Sequence, residues 1–143
     1  MNQVLSILTG KQVDSSVIDR GFCGTKQVNA GCYIKCDKVY SIYSGVILAT
    51  EVDPETDTWS VTQEVNSQFW LRYCNLSKVN VSVGSNITLS NYIGDTTKGL
   101  VRLEYCNAES SSFPVRILSQ QLYKQDPTPI IFGKVNMFEV PHA

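Results

Sequence analysis

Between Val39 and Tyr105 the chain is a succession of short apolar–polar alternations broken by polar turns, and this constrains the fold more than any other feature. A pattern of period two suits a pleated strand, whose successive side chains point to opposite faces. Segments 39–43, 45–50, 59–65, 69–73, 79–83 and 100–105 each read as a strand. Asp53-Pro54-Glu55-Thr56-Asp57 reads as a hairpin tip, and Asn66-Ser67-Gln68 and Gly84-Ser85-Asn86 as polar turns. Helix signals are scarce. Residues 13–20 suit one short helix, with Asp14 or Ser15 as N-cap and Gly21 as stop, and 120–124 suit one further turn. The pattern predicts an all-β domain, mostly antiparallel, with one or two short helices.

Composition narrows the chemistry. A chain of 143 residues with 43% apolar side chains suits one domain and one core. Twelve basic side chains oppose thirteen acidic ones, so there is no global electrostatic reason to bind nucleic acid or an anionic membrane. The N-terminus lacks the basic region and long apolar core of a signal peptide. No stretch approaches the roughly 18 apolar residues of a membrane span. A soluble protein made in a cytoplasm is expected. The single histidine, His142, excludes enzymes that use several histidines for metal binding or proton transfer.

Five cysteines, Cys23, Cys32, Cys36, Cys74 and Cys106, are an odd number with no Cys-x-x-Cys pair. Buried free thiols are expected rather than a zinc cluster or a disulfide framework. Cys74 and Cys106 have no histidine partner for nucleophilic catalysis. No spacing among the mid-chain carboxylates selects a glycosidase pair, the 53–57 turn lacks the ligand count of a calcium loop, and no phosphate-binding glycine loop is present. Trp59, Phe69, Trp70, Tyr73 and Tyr92 could line a groove, although core packing is the usual fate of strand aromatics. The tail after residue 123 carries Pro127, Pro129 and Pro141 among apolar residues. Ile130, Ile131, Phe132, Met137 and Phe138 there read either as a last edge strand or as a partner-binding arm.

An ordered set of motifs resembles the LytM/lysostaphin-type zinc peptidases. Asn29-Ala30-Gly31-Cys32-Tyr33 resembles the family's His-x-Gly-x-Asp segment, and 39–46 its strand leading to Gly-Val. Tyr73-Cys74-Asn75-Leu76-Ser77 resembles Tyr-x-His-Leu-Ser. Val81 to Ile87 and Ile93-Gly94 follow in the family's order, and Leu100-Val101-Arg102-Leu103-Glu104 resembles its final His-x-His-Phe-Glu strand. The resemblance implies a sandwich- or barrel-like scaffold over 29–123, between an N-terminal segment (1–28) and a proline-rich tail (124–143).

The catalytic positions depart from that family. Asn29 and Tyr33 stand for the first histidine and the aspartate, Asn75 for the histidine before Leu-Ser, and Leu100 and Arg102 for the final two histidines. Leucine cannot coordinate zinc, and arginine is permanently cationic. The resemblance therefore implies a pseudoenzyme, not an enzyme, with no zinc or other cofactor. Chains that look like this occur among bacteriophage tail and baseplate proteins, which gives an expectation of a virion component. Its expected partners are other tail proteins or further copies of itself. The second reading is a peptidoglycan-binding module that holds stem peptide in the old cleft without cutting it, with Asn75, Arg102 and Tyr33 lining it.

Overall fold

A computed structural model describes residues 3–21, 31–54, 56–66, 69–107, 114–117 and 120–131. Leu5 and Leu8 lie one helical turn apart, with Val4 and Ile7 beside them, so the first segment has an apolar stripe. It forms α1 (Gln3–Thr9), with Leu5 and Leu8 fully buried. Gly10 ends the helix at a φ of 70°, a left-handed closure that costs glycine no side-chain clash. The Tyr40 ring occupies the space where a Cβ of Gly10 would lie, so the glycine also allows close approach.

Asp14 accepts a hydrogen bond from the Ser16 amide at 2.9 Å and caps one 3-10 turn, Ser15–Val17. The helix expected over 13–20 stops there. The β-branched Val17 and Ile18 favour extended backbone, and the chain enters β1 (Ile18–Arg20). Then come β2 (Cys32–Lys35), β3 (Lys38–Tyr40), β4 (Gly45–Asp53), β5 (Thr58–Glu64) and β6 (Phe69–Val79). After these follow β7 (Asn86–Ile87), β8 (Tyr92–Thr96), β9 (Leu100–Asn107), β10 (Pro114–Ile117), β11 (Gln120–Gln125) and α2 (Thr128–Ile131).

The strand order is β1-β2-β9-β6-β5-β4-β7, with β11 on β9, β10 on β11, and β8 joining β3 to β6. Every pairing among the described residues is antiparallel. The all-β, mostly antiparallel scaffold with one or two short helices expected from the sequence is observed, its helices being α1 and α2 and not the segments 13–20 and 120–124.

Alternation assigns the two faces of the central sheet. Ile34, Val61, Leu71, Tyr73, Val101 and Leu103 point to one side, where they form the main core with residues of α1 and α2. The opposite face carries Trp70, Arg72 and Cys74 on β6 and Arg102, Glu104 and Cys106 on β9. At one end of that face a smaller cluster of Ala49, Trp70, Cys106, Ile117 and Leu122 is buried.

Two further elements differ from the sequence pattern. The strand expected over 79–83 is absent: β6 ends at Val79, and Val83 is 59% exposed. The backbone there is tied to β4 by single bonds, Gly84 N to Ile47 O at 2.8 Å and Ile47 N to Ser85 O at 2.9 Å, around a glycine with φ of 90°. The helical turn expected over 120–124 is β11, because its backbone pairs with both β9 and β10. Ile130 and Ile131, which the tail's composition offers as part of a partner-binding arm, are instead buried in the main core. Phe132, Met137, Phe138, Cys23 and His142 lie outside the described residues.

Candidate functional site

The polar face of the sheet brings together residues of β2, β6 and β9 that the sequence motifs singled out or flank. Arg102 on β9 is flanked by its register partners Tyr33 on β2 and Cys74 on β6. Residues opposite one another on neighbouring strands share a face, so these three side chains form one row. The ring of Tyr33 is covered by the guanidinium of Arg20, 4.3 Å from its centroid. Asn29 lies outside the described residues.

Asn75 and Leu100 belong to the wall of this row rather than to its open side. Asn75 takes a φ of 71°, a conformation that asparagine tolerates better than most residues. Its side-chain amide donates to Leu100 O at 2.8 Å and to Thr97 O at 3.0 Å, while its own carbonyl accepts from Thr97 N at 2.8 Å. The residue clamps the turn between β8 and β9 onto β6. Asn75→Ala is expected to cost about 1–3 kcal/mol, because two carbonyls lose their donors. The measurement is urea unfolding followed by tryptophan fluorescence.

One step further along the face sits an ionic cluster. Glu104 is fully buried and accepts from Arg72 Nη1 at 2.8 Å, Arg102 Nε at 2.8 Å and Lys124 Nζ at 3.0 Å. Burial pushes the Glu104 carboxyl up, but Arg72, Lys124 and Arg102 together outweigh it and hold the group below the usual carboxylate range. The neighbouring thiols of Cys74 and Cys106 are pushed up, chiefly by burial and next by the Glu104 charge. Both are free and buried, which makes them poor nucleophiles.

Sequence reasoning singled out Arg102 but missed Glu104, Arg72 and Lys124. A signal for the first two was present. Arg102 and Glu104 alternate with the apolar Val101 and Leu103, so both had to share the face opposite the core, and Arg72 stands in the same relation to Leu71 and Tyr73. Lys124 carried no such signal, since its segment reads as a helical turn.

Zinc of the family's kind does not fit these positions. The row offers a tyrosine, an arginine bound to Glu104 and one buried thiol that burial holds in its protonated form, and the wall beside it an asparagine whose donors are engaged by backbone. Among the described residues no three His, Cys, Asp or Glu side chains group as metal ligands.

No family model and no curated protein matches the sequence. Solved structures do match the fold. LytU superposes with a TM-score of 0.60 at 17% identity, over 82% of this chain and 86% of that one. The antimicrobial peptidase lysostaphin from Staphylococcus simulans gives 0.59 at 19% identity, over 87% of this chain and 54% of that one. The catalytic domain of EnpA, a prophage-encoded M23 protein from Enterococcus faecalis solved as a point mutant, gives 0.55 at 13% identity. That match covers 82% of this chain and 93% of the other. These likenesses correct the expectation that the chain is not an enzyme. Structures that share its architecture include a peptidase and the catalytic domain of an M23 protein, so the fold gives no ground for that expectation. The misfit of zinc concerns one set of positions, and turnover is a separate question. The chain has the lysostaphin-type peptidase fold.

Proposed function

We propose that the chain is a cell-wall-directed protein of a bacteriophage particle, which holds peptidoglycan peptide on the polar face of its lysostaphin-type sheet. The observation that carries this reading is the charge of that face. Arg72, Arg102 and Lys124 gather around the buried carboxylate of Glu104, with Glu51 4.0 Å from Arg72 at the edge of the group, so three cations meet two anions. Stem peptides carry carboxylates, and arginine is the side chain best suited to hold them. Arg102 stands beside Tyr33 in the row matched to the family's motifs, which supports this reading.

Sedimentation with purified cell walls tests the binding. Arg102→Ala is expected to weaken it roughly 10- to 100-fold, the worth of one charge-assisted hydrogen bond. Unchanged sedimentation would remove the basis of the reading. Soluble peptide released in the same mixture reads turnover directly. The particle location draws support from the fold shared with a prophage-encoded protein and from the near-neutral charge of the chain. Mass spectrometry of gradient-purified particles tests it, and failure to find the chain's peptides there would overturn it.

A further inference from the structure

Arg72 uses its guanidinium unevenly. Nη1 is committed to Glu104 at 2.8 Å. Nη2 reaches Ser60 Oγ at 3.3 Å and lies 4.0 Å from Glu51 Oε1. Nε is buried and has no hydrogen-bond partner, and neither has Glu51 Oε1. Thr62, directly opposite Arg72 on β5 and fully buried, also has an unpartnered hydroxyl. Three polar atoms are thus withdrawn from water around one arginine without a bond, each bearing the desolvation penalty of an unpaired buried group. Native structures keep few such atoms, and a group of them calls for an explanation.

The Nε and Nη2 atoms form one edge of the planar guanidinium, and such an edge binds a carboxylate through two parallel N–H···O bonds. Glu51 supplies a carboxylate near that edge, but at 4.0 Å it stands beyond hydrogen-bond range. Its side chain is 42% exposed. It can swing into water at little cost, because half-exposed ion pairs are weak. Glu104 has no such freedom, being fully buried and bound three times. Exchanging Glu51 for an outside carboxylate keeps one anion at the guanidinium edge, while the displaced Glu51 charge moves into water, which screens it.

We propose that the Nε–Nη2 edge of Arg72 is a carboxylate-binding subsite, that Glu51 is its displaceable internal occupant, and that the external ligand is a free carboxylate of a peptide. The proposal rests on the peptide-binding reading of this face and names the group recognised and the side chain that competes with it. Thr62, the register partner of Arg72 on the neighbouring strand, carries its unpartnered hydroxyl on the same face of the sheet.

Calorimetric titration of the full chain with short synthetic peptides tests this. The probes are an N-acetylated alanine tripeptide with a free C-terminal carboxylate, its C-terminal amide, and an amidated peptide whose only carboxylate is a glutamate side chain. Glu51→Gln is expected to bind the carboxylate peptides roughly three- to fivefold more tightly than the unmodified chain, the worth of the internal pair it removes. The carboxylate-free amide is expected to bind neither protein. Which carboxylate peptide binds better distinguishes a chain end from a side chain. Thr62→Val keeps the shape of its site and is expected to weaken binding in the Glu51→Gln background. Equal affinity of Glu51→Gln and the unmodified chain would overturn the proposal, as would equal binding of acid and amide. If the peptides bind but cell walls do not, the cell-wall reading fails alone. If Arg102→Ala abolishes wall binding while Glu51→Gln changes nothing, the subsite fails alone.

Discussion

Glu104→Ala is expected to destabilise the fold by about 3–5 kcal/mol, the usual consequence of stranding buried partners of an ion pair. For a chain of this size that lowers Tm by roughly 10–15 °C. The carboxylate is fully buried, and Arg72, Arg102 and Lys124 all bond to it within 3.0 Å. Without it, three cations face one another on a sheet interior where water screens poorly. Glu104→Gln keeps the shape but not the charge, and is expected to fall between the two.

The same group is expected to contribute to the acid limit of stability. The folded state holds Glu104 below its ordinary pKa, because the three cations outweigh the upward push of burial. The unfolded chain therefore takes up this proton first as pH falls. The stabilisation is complete above about pH 4.3, where an unfolded glutamate titrates, and is lost as pH drops through the folded value. Urea midpoints measured from pH 6 to pH 3 should decline more steeply for the unmodified chain than for Glu104→Gln. Parallel slopes would show that Glu104 is not the group responsible.

The ladder was legible in the sequence because period two is a local signal. The strands expected over 45–50, 59–65, 69–73 and 100–105 all appear, as β4, β5, β6 and β9. Asp14 was legible as a cap for the same reason. What could not be read locally was partnership. Val79, Val81 and Val83 alternate as a strand should, yet only Val79 finds a ladder neighbour, at Gly94. Residues 120–124 have no strong alternation, and β9 and β10 make them a strand. At the site, Arg102 was legible by motif position and Glu104 by alternation. The convergence of Arg72 and Lys124 on Glu104 depends on register across three strands, which no single segment encodes.

The tail shows the largest consequence of partnership. A chain reading places Ile130 and Ile131 beyond a proline, apolar and with no visible neighbour. The fold supplies that neighbour in α1, whose Leu5 and Leu8 belong to the same core. Helix α2 has only four residues, too few to stand without tertiary support. It is started by Asp126, which accepts from Thr128 N at 2.9 Å, and closed by Pro127 O, which accepts from the amides of Ile130 and Ile131 at 3.0 Å each. The two isoleucine side chains are 3% and 1% exposed. Truncating a buried isoleucine to alanine costs about 2–5 kcal/mol. Ile130→Ala with Ile131→Ala is therefore expected to remove most of the roughly 5–15 kcal/mol that stabilises a domain, short of full additivity because the two sites are neighbours. Urea unfolding should show a midpoint collapse in the double variant, matched by Leu5→Ala with Leu8→Ala from the other side of the contact. An arm that served only a partner would behave oppositely: the double variant would unfold at the unmodified midpoint and lose only its partner.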